Sequence, residues 1–363
     1  MTQAVIEVTG REAVDPLAAI EFCYRQGWTD GLPVMPPTEE RVAAFIGALG
    51  RERDDVLGAV PERRRQVTVE QVAANAVMAG CLPEYAPVVA AAVEAMLQPP
   101  FNLVGPSASL GGAAILVIVS GPVVEELGIN CRNNLFGPGN RANATIGRAV
   151  RLVLMNTCGA IPGLFDRTTL GHPGKYTYCI GENTRDSPWL PLHAERGFAP
   201  EANAVTVFAG EGPRQVRNSL SHTPEGILTT ITDVMSSLGT SLATSGSVGA
   251  SASGTRQGEV VIVMAGEHMR TIARHSWSKA DMRRYLAEHA RRTVADLKRG
   301  GGLPGDPEPG DDQKYVATVA QADDIMIVTA GGDEGAMSAV LPSWGPKVSS
   351  TAVTWPIAWP ARR

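Results

Sequence analysis

The feature that most limits how this chain can fold is a pattern repeated four times: a short apolar run ending in a small residue and a glycine. The instances are AILVIVSGPVVEEL around Gly121, AVTVFAGEGPRQV around Gly210, EVVIVMAGEHMRTI around Gly266 and DIMIVTAGGDEGAM around Gly331. Each run has the length of a buried strand and is rich in Val and Ile, which pack well on a pleated surface. The pattern predicts an α/β fold, with several strand–Gly turn–helix units forming one or two mixed sheets and Ala-rich helices packed on them. Glycine at each turn permits a sharp reversal and a close approach to the backbone. In open α/β sheets, ligands bind just beyond the carboxyl ends of strands, where helix N-termini offer N–H groups. If the four turns lie side by side, Glu211, Glu267, His268, Asp333 and Glu334 share one rim.

Composition narrows the class. A chain of 363 residues buries one large core or two to three smaller ones. Its 39 glycines and 26 prolines against 5% aromatic residues imply many turns and a core of Ala, Val, Leu and Ile. A net charge of −5 gives no electrostatic reason to expect nucleic acid. No apolar stretch reaches the roughly 18–20 residues that span a bilayer. The opening MTQAVIEVTGRE has neither the basic start nor the apolar centre of a signal peptide, so the expected location is cytoplasmic. Cys23, Cys81, Cys131, Cys158 and Cys179 are odd in number and lack a C-x-x-C pair, so neither a disulfide scaffold nor a zinc ribbon is expected.

Along the chain, 15–26 reads as a helix capped by Asp15 with Pro16 at its first position. Pro33, Pro36 and Pro37 make 27–38 a loop, in which Asp30 suits an Asx-type turn. Helices are expected over 38–49, 68–80, 85–97 and 143–155, and the charged stretch 51–66 reads as a solvated excursion. A strong helix capped by Ser278 should run through WSKADMRRYLAEHARRTVADLKRG. The small polar stretch 236–258 reads as a mobile loop or a glycine-dense ligand cradle, 300–313 as a linker or lid, and the chain from Pro342 onward shows no clear element. The implied organisation is an N-terminal α/β domain (1–165), an irregular connection (166–200) and a C-terminal α/β domain (201–363) with three strand–Gly turns.

Several constellations could carry chemistry. Cys81 follows Gly80 at a helix end, with Pro83 and Glu84 behind it, and is the best nucleophilic or redox thiol, although a helix C-terminus raises a thiol pKa. Adjacent Glu267 and His268 suit a general base and its orienter, or with Asp333 the ligands of a divalent metal. Asn140, Arg141, Asn143 and Arg148, with His172 and Lys175 from GHPGKYTYC, suit recognition of a carboxylate or other small anion. Consecutive N–H groups at Gly331 and Gly332, with Ser338 nearby, could nest an anionic group, but no G-x-G-x-x-G fingerprint supports a nucleotide cofactor. Each of these sets also has a plain reading as a cap, turn or surface pair.

The blocks GWTDGLPVMPPT, NAVMAGCLPEYAPVVAAAVEAM, GPGNRANATIGRA and GHPGKYTYCIGEN, with EH followed by WSKADMRRYL, together resemble an uncharacterised bacterial family across nearly the whole chain. Its members look like the partner proteins of UGSC-type (seleno)proteins, encoded beside them or fused to them. The resemblance implies thiol or selenol chemistry on a small molecule. This chain has no Cys-Gly-Ser-Cys, so such a redox centre would come from the partner. The leading expectation is a cytoplasmic enzyme acting on a small anionic metabolite by acid/base or thiol chemistry. The alternatives are a substrate-binding or scaffolding subunit of a UGSC-type system, and a metal-dependent lyase or hydrolase. Ala-rich helices suit close subunit packing, so a homo-oligomer is expected.

Overall fold

The computed structural model describes residues 15–239 and 257–359, so most of the 236–258 stretch lies outside the described residues. In chain order the strands are β1 (Val56–Val60), β2 (Arg65–Thr68), β3 (Ala114–Ser120), β4 (Cys179–Gly181), β5 (Ala204–Gly210), β6 (Arg214–Arg217), β7 (Val260–Met264), β8 (Arg291–Thr293), β9 (Tyr315–Ala317), β10 (Ile325–Thr329), β11 (Met337–Pro342) and β12 (Val353–Pro356). The mixed α/β class follows, with two four-stranded sheets at its centre. Sheet one has the order β12-β5-β3-β4 and sheet two β10-β7-β11-β6; β1-β2 and β8-β9 are separate antiparallel pairs. In sheet one only β3 and β4 run parallel, and in sheet two only β7 and β10.

Period-two alternation then sets the layers. Val117 and Val119 of β3 face a helical core with Val205 and Val207 of β5, while Leu116 and Ile118 face the opposite way with Phe208. In sheet two, Ile262 and Ile327 face helices, while Val261, Val263, Met326 and Val328 meet the inner side chains of sheet one. The two sheets are therefore stacked face to face between two helical layers. Strands buried on both faces lose the polar alternation of a half-exposed sheet and read as continuous apolar runs. Burying each such side chain contributes about 1.5–3 kcal/mol, so the inner and outer rows fix both layers at once.

Local signals behave as capping physics requires. Asp15 accepts from Leu17 N, and Thr68 with Gln71 forms a capping box on helix Val69–Ala79, which ends at Gly80 in a left-handed conformation. The Ala-rich helix Ala86–Met96 lies on β5 and β12, where small side chains allow close packing. Helices Pro224–Met235, Gly266–Arg274 and Lys279–His289 cover sheet two. No single helix among the described residues is long and apolar enough to cross a membrane, although the pair Pro83–Met96 and Pro99–Ala108 passes by length and composition together, with a 67° bend at its break.

The structure corrects several expectations. The stretch 51–66 is not wholly solvated: it contains β1 and the start of β2, which pair, and Leu57 and Val60 are buried. The predicted single helix after Ser278 stops at His289. Residues Arg291–Thr293 pair with β9, and Thr293 caps a new helix, Val294–Arg299. The chain beyond Pro342 contributes β12. Sheet one draws its strands from all three stretches, β3 from 1–165, β4 from 166–200, and β5 and β12 from 201–363. Pairing across the chain, which no local pattern encodes, decides this.

Candidate functional site

The four turns do not share one rim. β3 and β5 are antiparallel, with Ala114 opposite Gly210 and Ser120 opposite Ala204, so the Gly121 and Gly210 turns lie at opposite ends of sheet one. The Gly266 and Gly331 turns do meet, because β7 and β10 are parallel; Gly266 N donates to Gly332 O at 3.0 Å. No helix follows Gly210 or Gly331; each leads instead into a strand, β6 or β11.

A different convergence replaces it. The helix Arg141–Leu152 packs against β4, and Gly147 makes the approach possible: a Cβ there would lie 2.4 Å from Thr177 Oγ1 and 2.6 Å from Tyr178 N. The loop ahead of that helix, the segment 172–179 and the Gly212-Pro213 turn after β5 enclose a cleft of about 520 Å³. Its volume is that of a small-molecule site. Leu135, Phe136, Pro138, Pro173 and Pro213 supply apolar wall, and none of the fourteen lining residues is Asp, Glu, Lys or Arg.

Aromatic rings organise the interior. Tyr178 lies between Phe136, at 5.9 Å between centroids, and His172, at 5.6 Å in an edge-on arrangement. The Tyr178 hydroxyl donates to Glu211 O at 3.1 Å, and burial holds the phenol above its ordinary pKa. His172 Nδ1 accepts from Gly174 N at 3.2 Å, which puts the proton of the neutral ring on Nε2, facing Gly210 O at 3.4 Å. Burial pushes the His172 pKa down against the Gly210 contact, and the nearby Lys175 charge adds to the lowering. Burial also raises the Cys179 pKa, so all three titratable groups lining the cleft are held in their uncharged forms at neutral pH.

Behind Gly174 lies a compact ion network. Asp166, whose side chain is only 4% exposed, accepts from Lys175 Nζ at 2.8 Å and Arg151 Nη2 at 2.9 Å. Burial opposes its ionisation, but hydrogen bonds from Lys175, Thr168 and Arg151 together outweigh that and hold the carboxyl at about 2. Burial in turn lowers the Lys175 pKa, with Asp166 opposing the effect.

The residues assigned to anion recognition are committed to the protein. Arg148 clasps Asp30 through two 2.8 Å bonds and also donates to Pro33 O, while Asp30 accepts from Leu32 N in the expected Asx-type turn. Arg141 donates twice to Gly80 O. Asn140 caps its helix by accepting from Asn143 N, and Asn143 bridges Asn130 and Cys179 O. Asn143 and His172 do line the cleft; Lys175 stands behind it.

The catalytic and metal assignments lie elsewhere. Cys81 sits against Thr145 and Arg141, yet burial pushes its thiol up to about 12, so it carries almost no thiolate at neutral pH. His268 is 1% exposed, with Nδ1 2.8 Å from Ser338 Oγ and Nε2 3.1 Å from Asn218 O; burial lowers its pKa. Glu267 accepts from Gly335 N and Ala336 N, and Asp333 pairs with Arg270 and Arg132. Gly331 N is bonded to Cys131 O. The donors of Glu267, His268 and Asp333 thus point to three different sets of partners. Among the described residues no group of three or more His, Cys, Asp and Glu is placed to hold a metal ion.

Sequence reasoning missed Phe136, Tyr178 and Pro213. The available signal was scarce aromatics placed inside the glycine- and proline-rich loops LFGPGN and GHPGKYTYC. The buried Glu182 accepts from Ser120 Oγ and Leu192 N, with Lys279 Nζ 3.9 Å away. No protein-family model, curated protein or solved structure matches this chain.

Proposed function

We propose that the chain is an enzyme that acts on a small organic molecule held in the cleft between the loop at 135–138, the segment 172–179 and the Gly212-Pro213 turn. The observation that carries this reading is the meeting of two polar, glycine-rich segments, separated in sequence, on one aromatic-lined cleft with a tautomer-fixed histidine. His172 would donate its Nε2 proton as a hydrogen bond to a ligand oxygen in place of the long contact to Gly210 O. A neutral donor that stays neutral stabilises negative charge developing on that oxygen without a proton having to leave first. The Nδ1 lone pair is occupied by Gly174 N, so the ring serves as a donor and not as a base at that nitrogen. The test is a metabolite library screened by thermal shift, with hits repeated on His172→Phe, which has no donor. Hits that stabilise both proteins equally would remove His172 from the role.

One observation favours a second reading, a docking role beside a UGSC-type redox protein. Leu110, Leu164, Phe165 and Leu170 are exposed, Leu170 at 94%, and Thr169 N bonds Leu110 O so that two of these segments adjoin. Co-purification that is lost with Leu164→Ser/Leu170→Ser would support it, and unchanged co-purification would count against it.

A further inference from the structure

We infer that the cleft takes an uncharged molecule with a planar ring, the ring lying on Phe136 and an acceptor atom meeting His172 Nε2; this rests on the cleft being the functional site. The charge argument comes first. No lining residue bears a formal charge, and His172 and Tyr178 are both held neutral by burial. None of the cations near the cleft lines it. Lys175 and Arg151 share Asp166, Arg148 is paired with Asp30, and Arg141 is spent on Gly80 O. A carboxylate or phosphate entering this space would lose its water and meet no cationic side chain in the lining, which is costly in an apolar environment. A neutral carbonyl or amide loses far less and can accept the one oriented donor, His172 Nε2–H.

The shape argument is independent of charge. Phe136 is 38% exposed and leaves ring surface uncovered, whereas Tyr178 is 5% exposed and forms the floor with its polar tip already bonded. Phe136 and Tyr178 meet at 53°, an angle that leaves a wedge, and prolines at 138, 173 and 213 add flat apolar edges. Offset stacking on Phe136 with an edge toward Tyr178 is the arrangement aromatic quadrupoles favour.

The test uses near-isosteric pairs on the full chain at pH 7.5: benzamide against benzoate and indole-3-acetamide against indole-3-acetate, by calorimetry and saturation-transfer NMR. Each amide should bind about tenfold or more tightly than its acid, the difference expected for an uncompensated charge. Amide binding should be lost in Phe136→Ala and in His172→Phe, which removes the donor, and circular dichroism should show both variants folded. Phe136→Leu, which keeps apolar volume but removes the ring, should weaken binding less than Phe136→Ala if bulk matters and equally if stacking matters; the inference requires the latter. Acids that bind as tightly as amides, with binding lost in the cleft variants, overturn the neutral-ligand inference and leave the cleft as the site. Amide binding that survives both Phe136→Ala and His172→Phe, or no binding of any probe at millimolar concentration, overturns the cleft reading and the inference with it.

Discussion

Arg148 decides between a substrate-binding role and a structural one, and Arg148→Met is the cleanest test. Its guanidinium makes two parallel 2.8 Å bonds to Asp30, whose side chain is 3% exposed, and reaches Pro33 O at 2.9 Å. Removing the guanidinium leaves a carboxylate with little water and one backbone donor, Leu32 N. Breaking a buried pair from one side costs about 3–5 kcal/mol. Arg148 itself is 16% exposed, so some water can enter, and the lower end, about 3 kcal/mol, is the expected loss. That is a large share of the roughly 5–15 kcal/mol by which a folded domain is stable. Urea unfolding should show a lower midpoint with little change in slope. The double variant Arg148→Met/Asp30→Leu should recover much of the loss, since no charge is then stranded. Amide binding at the cleft should persist in the folded single variant. A single variant within about 0.5 kcal/mol of the parent would refute the buried-pair reasoning. If that same variant had also lost ligand binding, the guanidinium would return to the site.

Three further outcomes follow from the same geometry. Asp166 is held at about 2 against an ordinary 3.8, so its network contributes stability above pH 3.8 and loses it as the pH falls through about 2. The contribution should be about 2 kcal/mol, and Asp166→Asn should flatten stability between pH 5 and 2; an unchanged slope would contradict the network. Cys81, pushed up to about 12 from 9.0, should react with iodoacetamide about a thousandfold more slowly than an unperturbed thiol at pH 7.5, measured by peptide mass spectrometry, and ordinary reactivity would restore it as a nucleophile. Gly147→Ala places a Cβ 2.6 Å from Tyr178 N, which is backbone and cannot swing aside; it should cost about 1–3 kcal/mol and disturb probe binding, and a neutral effect on melting would show the helix and the segment 177–179 can separate.

Much of the architecture was legible because it is written in local patterns. The four apolar runs are strands β3, β5, β7 and β10, and the caps at Asp15 and Ser278 mark real helix starts. The loops GNRANATIGR and GHPGKYTYC do reach one cleft. The roles given to their polar residues were not legible. An arginine or asparagine in a glycine-rich loop looks the same whether it will meet a ligand or a carbonyl from elsewhere in the chain. Arg141 meets Gly80 O across 61 residues and Arg148 meets Asp30 across 118. The Glu267–His268 pair looked catalytic because adjacency in sequence was visible and burial was not; its partners, Ala336 N and Asn218 O, are fixed by the strands beside it.

The sequence by itself determined the four buried strands and the capped helix starts, since apolar runs, caps and glycine turns act over a few residues. It also determined that both faces of the central strands are covered, since uninterrupted apolar runs cannot face water. Tertiary structure decided which strand lies beside which, and so which turns meet. Antiparallel pairing of β3 with β5 sent Gly121 and Gly210 to opposite ends, while parallel pairing of β7 with β10 brought Gly266 and Gly331 together. It also decided which charges are spent inside the protein and which groups are left facing the cleft. Strand order and ion pairing are set by the summed burial of residues far apart in the chain, and a pattern only a few residues wide carries no record of them.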